Sequence, residues 1–379
     1  MTETVTGWLL DVYPNESNLT LWVIAEDGTR QRFFQDFAAT IYAAGPATSL
    51  RRLWIWLKQQ PIPVRLARVE RKDVFSATRS AGIPCGDKLL RGGLPAQLTS
   101  QVQAEPPRPA QGMLTVLAVE VPQPIKLDEL FRNMAAAFPE LDYYDADISI
   151  PLRYAAYYDV FPLARCRLEV RGEKVVGITP LDTPWELEPE AAPLRVLSLE
   201  PDCDPSQAEP SAILLTYGRV QYSLPLDKPR AFLVGLRADL RRFDPDVILA
   251  AWGDTWLLPT LLKLSQEHGV LLPLNRDESQ SVLERKERTY FSYGQIVYRG
   301  RQVLLRGRWH LDPHNLMLWG DYGMTGVLEM ARVTRQPAQE AARLSPGTGI
   351  SSMQFVNALQ NGILIPWRKQ QAETPKTAM

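Results

Sequence analysis

Apolar residues recur along this chain in two rhythms, and their arrangement changes at about Leu194. The first eighty residues alternate in short runs. Leu9 to Tyr13 and Leu19 to Ile24 read as strands on either side of a Pro14-Asn15-Glu16-Ser17 turn. Glu26-Asp27-Gly28 leads into a third strand, Arg30 to Phe34; Asp-Gly between extended runs is a strong hairpin signal. Ser49 to Gln59 carries Leu53, Trp54 and Leu57 at helical spacing. Residues 81–112 hold Pro84, Gly86, Gly92, Gly93, Pro95, Pro106, Pro107 and Pro109, the composition of a linker. Order resumes with a strand from Leu114 to Val121 and an amphipathic helix bearing Leu127, Leu130, Phe131, Met134 and Phe138. The pattern predicts a β-rich N-terminal domain over 1–80, a linker over 81–112, and a return to the same α+β domain over 113–150.

From about Leu194 strands alternate with helices. Leu194 to Leu199, Ala212 to Tyr217 and Val247 to Ala251 are short apolar strands. Ala231 to Phe243, with Leu233, Leu236, Leu240 and Phe243 on one side, and Leu257 to His268 are helices. This predicts an α/β domain over 151–345, a mixed sheet flanked by helices. A C-terminal helix and tail over 346–379 follow, with 370–379 polar and frayed. No internal repeat is found.

Composition narrows the picture without settling it. The 379 residues are 45% hydrophobic and 22% charged, ordinary for a globular chain of two or three domains. The net charge of −1 argues mildly against nucleic acid as a partner, yet a local basic groove fits inside a neutral total. Cys85, Cys166 and Cys203 lack metal-ligand spacing, and no secretory leader opens the chain, so a reducing cytoplasm is expected. No run approaches the roughly 20 apolar residues of a membrane span. His310 and His314 are four apart, but Pro313 between them works against the regular helix a metal pair would use.

Six segments, in order, resemble the family B DNA polymerases. Gly7-Trp8-Leu9-Leu10-Asp11 is similar to that family's N-terminal strand, and Tyr143-Tyr144-Asp145-Ala146-Asp147-Ile148 to its Y-x-A-D-I entry into the exonuclease region. Leu194 to Asp202 stands where the first exonuclease motif belongs. Asp244-Pro245-Asp246-Val247-Ile248 with Trp252-Gly253-Asp254 resembles DPDV…NGD, and Gly307-Arg308-Trp309-His310-Leu311-Asp312 resembles GRIHFD. Ser345-Pro346-Gly347-Thr348-Gly349 and Leu364-Ile365-Pro366 resemble the segment before the family's palm. The resemblance implies a ribonuclease H-like 3′–5′ exonuclease domain behind the N-terminal one. The palm motifs SLYPSI and DTDS do not occur, which leaves open a truncated chain, a split-gene subunit and a free-standing relative. A palm-bearing polymerase subunit or a missing C-terminal portion is the expected partner.

The family's exonuclease works with two divalent ions, Mg²⁺ or Mn²⁺, about 4 Å apart and held by clustered carboxylates. By this resemblance Glu200, Asp202 and Asp321 are the candidate catalytic and metal-binding acids, with no cofactor expected if the site is inactive. The set departs from the family's at several points. Asp-x-Glu has become Glu200-Pro201-Asp202, and Pro201 removes a ladder donor so that the strand ends or bulges there. The second motif's metal-binding Asp falls on Leu257, with Asp254 three residues away. In the third motif, Met317…Asp321…Thr325, the Asp is kept and the Tyr is lost. Read without the resemblance, Glu200, Asp202, Asp204 and Glu209 form a solvated acidic loop, and Asp321 is a helix N-cap or first-turn residue.

Basic residues gather at Arg237, Arg241 and Arg242, at Arg285, Lys286 and Arg288, and at Arg299, Arg301, Arg306 and Arg308. The last group alternates with apolar residues along two expected strands joined at Gly300, a ribbon suited to phosphates or simply a solvated face. Trp252, Trp256, Trp309 and Trp319 are candidates either for base stacking or for the core. Three functions follow: a non-catalytic scaffold for single-stranded or primer–template DNA or for a polymerase subunit in replication or repair, an active 3′–5′ exonuclease, and an interaction protein without DNA binding.

Overall fold

The computed structural model describes residues 2–72, 113–292, 295–317 and 319–367; the 81–112 linker, Cys85 and the 370–379 tail lie outside them. Two compact units emerge, Met1–Ala39 with Pro122–Ile125 and Ile148–Asn357, and Thr40–Val121 with Lys126–Asp147 and Ala358–Met379. The first unit opens with β1 (Glu3–Pro14), β2 (Leu19–Ala25) and β3 (Arg30–Gln35). The side chain of Asn15 accepts hydrogen bonds from the N–H groups of Ser17 (3.0 Å) and Asn18 (2.8 Å), which folds the β1–β2 turn. At the β2–β3 turn Gly28 takes φ +82°, a conformation open to glycine at no steric cost.

Strand β1 bulges between Leu9 and Asp11, which aims Asp11 inward. Its carboxylate is buried and accepts the N–H of Gly307 at 2.9 Å. Burial pushes the Asp11 carboxyl up from 3.8 to about 6, against the pull of Arg306 and the Gly307 N–H. A folded pKa above the unfolded one means that the contribution of Asp11 is fully present below about pH 4 and lost as pH rises through about 6. The Asp11→Asn substitution keeps the acceptor and cannot ionise. We expect it to match the parent below pH 4 and to be more stable above pH 6, by up to about 3 kcal/mol. Urea melts at pH 4 and pH 8 check this.

The second unit holds β4 (Ala39–Ala44), α1 (Ala47–Leu57), β5 (Arg65–Lys72), β6 (Met113–Val121), α2 (Leu127–Ala137) and β7 (Asp142–Tyr144). Its sheet runs β5-β6-β4-β7. Helix α2 buries Leu127, Leu130, Phe131 and Met134, as its spacing predicts, and the Tyr143 hydroxyl donates to the carbonyl oxygens of Met134 and Phe138. Residues 363–367 return to this unit. The Asp145 N–H donates to the Ile365 carbonyl (2.7 Å), the Ile365 N–H to the Asp145 carboxylate (2.8 Å), and Trp367 meets Phe131 edge-on.

The first unit resumes with α3 (Ile150–Tyr158), β8 (Arg165–Arg171) and β9 (Lys174–Pro180). Strand β8 pairs with β1, and β9 meets β3 at Phe34–Lys174, closing a five-stranded barrel in the order β1-β2-β3-β9-β8. Then come β10 (Val196–Pro201), β11 (Ala212–Tyr217), β12 (Val220–Pro225), α4 (Pro229–Phe243), β13 (Val247–Ala250) and α5 (Leu258–His268). Further on are β14 (Leu283–Arg285), β15 (Arg288–Ser292), β16 (Gln295–Arg299), β17 (Gln302–Leu304), β18 (Trp309–Leu311), α6 (Trp319–Thr334), α7 (Ala338–Ala341) and α8 (Pro346–Gln360). The sheet order is β12-β11-β10-β13-β18, antiparallel through β10 and parallel from β10 to β18. That is the mixed sheet of a ribonuclease H-like domain.

Period-two alternation buries both faces of this sheet. Leu197, Leu199, Ile248 and Ala250 pack with Phe232, Leu236 and Leu240 of α4 and Leu258 and Leu261 of α5. Val247, Trp309 and Leu311 point the other way, among Val327, Ala331, Ala338 and the barrel's Trp8, Tyr13 and Trp22. The compact units therefore divide the chain differently from the sequence boundaries at 80, 150 and 345. β1 to β3 group with residues 148–357, because β1 finds its partner in β8 and the barrel shares a core with the sheet. A second difference concerns the basic ribbon. β16 pairs with β15 and β17 with β14, so the strands on either side of Gly300 pair with different partners rather than with each other. Among the described residues no helix is long and apolar enough to cross a membrane.

Candidate functional site

The carboxyl ends of β10, β13 and β18 share one edge of the sheet, the side where open α/β sheets bind ligands. Strand β10 stops at Pro201, leaving Glu200 exposed in register with Leu214. Exposed Asp202 accepts hydrogen bonds from the Ser211 hydroxyl and N–H, which hold its carboxyl below the usual range. Asp204 closes a turn onto Ser206 in the same way. Asp321 is exposed in the first turn of α6, where a carboxylate complements the helix N-terminus, and Met317 is exposed ahead of it. Among the described residues no three carboxylate, histidine or cysteine side chains gather as a metal-binding group.

After β13 the chain makes a π turn, Gly253–Leu257, in which the Leu257 N–H reaches the Trp252 carbonyl at 2.9 Å. Trp252 enters it with φ +50°, left-handed backbone for a bulky residue, and its indole stacks on His314 with ring centroids 3.9 Å apart. His314 follows Pro313 in a short 3-10 turn, so it shares no helix with His310. The π turn carries the Leu257 side chain, 1% exposed, into the core against α4 and α5 and buries Asp254 completely. Trp256 packs partly buried against the same core.

Asp254 is the centre of a buried polar network. Its Oδ1 accepts the Val303 N–H (2.7 Å) and its Oδ2 the Asn315 amide (2.6 Å). The Arg343 guanidinium forks onto both oxygens, with Nε at 3.0 Å from Oδ2 and Nη2 at 2.9 Å from each. Arg343 is as buried as its partner and also donates to the Gln339 carbonyl at 2.7 Å. His310 lies alongside, its Nδ1 2.7 Å from the Val303 carbonyl and 3.5 Å from Asp254. Burial, helped by Arg343, pulls its pKa down to about 4, so the ring is neutral near pH 7. Asp312 accepts the Asp254 N–H at 3.0 Å, and burial beside a second carboxylate pushes its own carboxyl up. This donor set does not fit a divalent ion: Leu257 offers no oxygen, and both Asp254 oxygens are committed to a guanidinium and two further donors.

Nothing local in the sequence marks Arg343, which follows a short alanine-rich helix. The Asp244-Pro245-Asp246 motif, by contrast, proves structural. Asp244 ends α4 in a left-handed conformation, and buried Asp246 binds Arg30 and Arg276. Burial pushes the Asp246 carboxyl up, but the two arginines outweigh it and hold it below the usual range. Arg308, read in the sequence as part of the basic ribbon, is 3% exposed and paired with Asp244 at 3.1 Å; burial pulls its pKa down to about 10. Arg306 lies over the Tyr13 ring, 4.9 Å from its centroid. Trp309 is core and Trp319 packs against it. Arg299 and Arg301 stay on the hairpin, with Arg301 paired to Glu284.

No family model matches this chain, and no curated protein does. Among solved structures it is similar to the family B DNA polymerase from the hyperthermophilic archaeon Pyrobaculum calidifontis, with a TM-score of 0.64 over 96% of this chain. The fold is polymerase-like. At 16% identity the likeness is one of fold alone, and the chain spans about half (51%) of that polymerase's length.

Proposed function

We propose that this chain is a non-catalytic scaffold of DNA replication or repair, working in the cytoplasm. It holds single-stranded or primer–template DNA, or a palm-bearing polymerase subunit, on a nuclease-shaped domain that no longer cuts. The observation that carries this reading is the Arg343 guanidinium forked onto Asp254, with Leu257 turned into the core where the resemblance sets a metal-binding acid. Two-metal hydrolysis needs clustered carboxylates with free lone pairs. A single protein cation neutralises one carboxylate and activates no water.

The test is digestion of a 3′-labelled single strand with Mg²⁺ or Mn²⁺, beside the Asp202→Ala variant. No shortening is expected from either protein. Metal-dependent shortening that Asp202→Ala abolishes would establish the exonuclease instead, with Glu200, Asp202 and Asp321 as its acids. Binding of the same strand should weaken steeply as salt rises. A protein that retains no DNA at low salt would leave only the subunit-binding role.

A further inference from the structure

Strand β12 stands at one edge of the β12-β11-β10-β13-β18 sheet. The Leu226 N–H donates to the Ser211 carbonyl at 2.8 Å, and on the far side of β11 the Ala212 carbonyl accepts from Asp202 at 3.1 Å. Ladder groups alternate sides along a strand, so Val220, Tyr222 and Leu224 turn their backbone groups toward β11. Gln221, Ser223 and Pro225 turn theirs out of the sheet, and their side chains are exposed. Natural proteins blunt such edges with charges or bulges. Here Val-Gln-Tyr-Ser-Leu-Pro holds no charge, and its register with β11 runs unshifted from end to end. Pro225 fits the strand because its missing N–H would have pointed outward.

The charges stand at the two ends. Arg219 precedes the strand and Asp227 follows it; both are exposed, and neither has a partner among the described residues. Eight residues of extended chain, roughly 26 Å, keep them from pairing with each other. An antiparallel copy of the same strand reverses the ends and brings each Arg219 to the other copy's Asp227. With a two-fold axis at Ser223, the Ser223 N–H groups meet the opposing Ser223 carbonyls and the Gln221 N–H groups the opposing Pro225 carbonyls. No outward N–H of the strand is left over. On the side packed against α4, the same register sets Tyr222 across from Leu224, and Val220, 43% exposed, across from Leu226.

We propose that two copies of this chain associate through β12, antiparallel about an axis at Ser223, joining their five-stranded sheets into one. The association does not depend on whether the chain holds DNA. Sedimentation of the full chain from about 1 to 100 µM tests it, and the mass should rise from 42.8 kDa toward twice that value. Ser223→Lys sets two ammonium groups face to face at the axis and should weaken the dimer at least about tenfold. Because Ser223 is exposed, that variant should melt with the parent when both are dilute. Arg219→Glu should weaken the dimer by about tenfold, and adding Asp227→Arg should restore it, since the reversed charges meet again. Restoration is a result that a merely structural role for either residue would not give. A parent that stays at 42.8 kDa throughout, or a dimer that Ser223→Lys leaves intact, overturns the proposal. A double variant as weak as Arg219→Glu alone overturns the two-fold ladder.

Discussion

Replacing Arg343 with leucine should destabilise the protein by about 3–5 kcal/mol, because it strands a carboxylate that has no route to water. Asp254 is 0% exposed, and its remaining donors, the Val303 N–H and the Asn315 amide, are neutral. The loss should fall mostly on the pair. In the double variant Asp254→Asn with Arg343→Leu the buried charge is gone, and stability should return by more than half, since buried ion pairs replaced as a unit are often near neutral. A double-mutant cycle in urea then gives the coupling free energy. Additive losses would show that Arg343 acts through its bonds to the Gln339 and His310 carbonyls, leaving the ion pair without weight. Chelator or added Mg²⁺ should leave the parent's melting temperature unchanged, because the cation at Asp254 is part of the chain.

Such a pair was out of reach of sequence reasoning for a physical reason. Asp254 and Arg343 are 89 residues apart, and periodicity reports which face is buried without naming the partner across it. The same limit hid the barrel. β8 carries a legible alternation of buried Cys166, Leu168 and Val170, yet its pairing with β1 joins segments more than 150 residues apart. What was legible lay in local signals. The turn at Gly28, the termini of the strand Ala212–Tyr217, the end of β10 at Pro201 and the buried side of α4 all follow from spacing or from single residues with strong backbone preferences. Arg308 shows the opposite case. Alternation with apolar neighbours suggested an exposed ribbon, but Asp244 and Asp246 need counter-charges, and the barrel covers that end of the sheet.

Leu257 decides whether the nuclease site is a metal cradle missing one ligand or a site rebuilt around other interactions. The Leu257→Asp substitution restores the acid that the resemblance places there. If only the ligand were missing, the new carboxylate would face its neighbours and Mn²⁺ would draw them together. The π turn argues otherwise: it sends the side chain at 257 into a core of Phe232, Leu258 and Leu261. An aspartate there loses the transfer free energy of a buried leucine and leaves a polar group unpaired. Together these should cost about 4–5 kcal/mol or more, whereas Leu257→Met, close to volume-conserving, should cost under about 1.5 kcal/mol. Thermal melts with and without Mn²⁺ separate the two pictures. A large loss that Mn²⁺ does not recover fits a rebuilt site, and both single-strand binding and the absence of cleavage then belong to a scaffold. Recovery of the melting temperature with Mn²⁺, accompanied by shortening of a 3′-labelled strand, would mean that Leu257 alone silences the enzyme and that the Arg343 guanidinium yields to a metal ion.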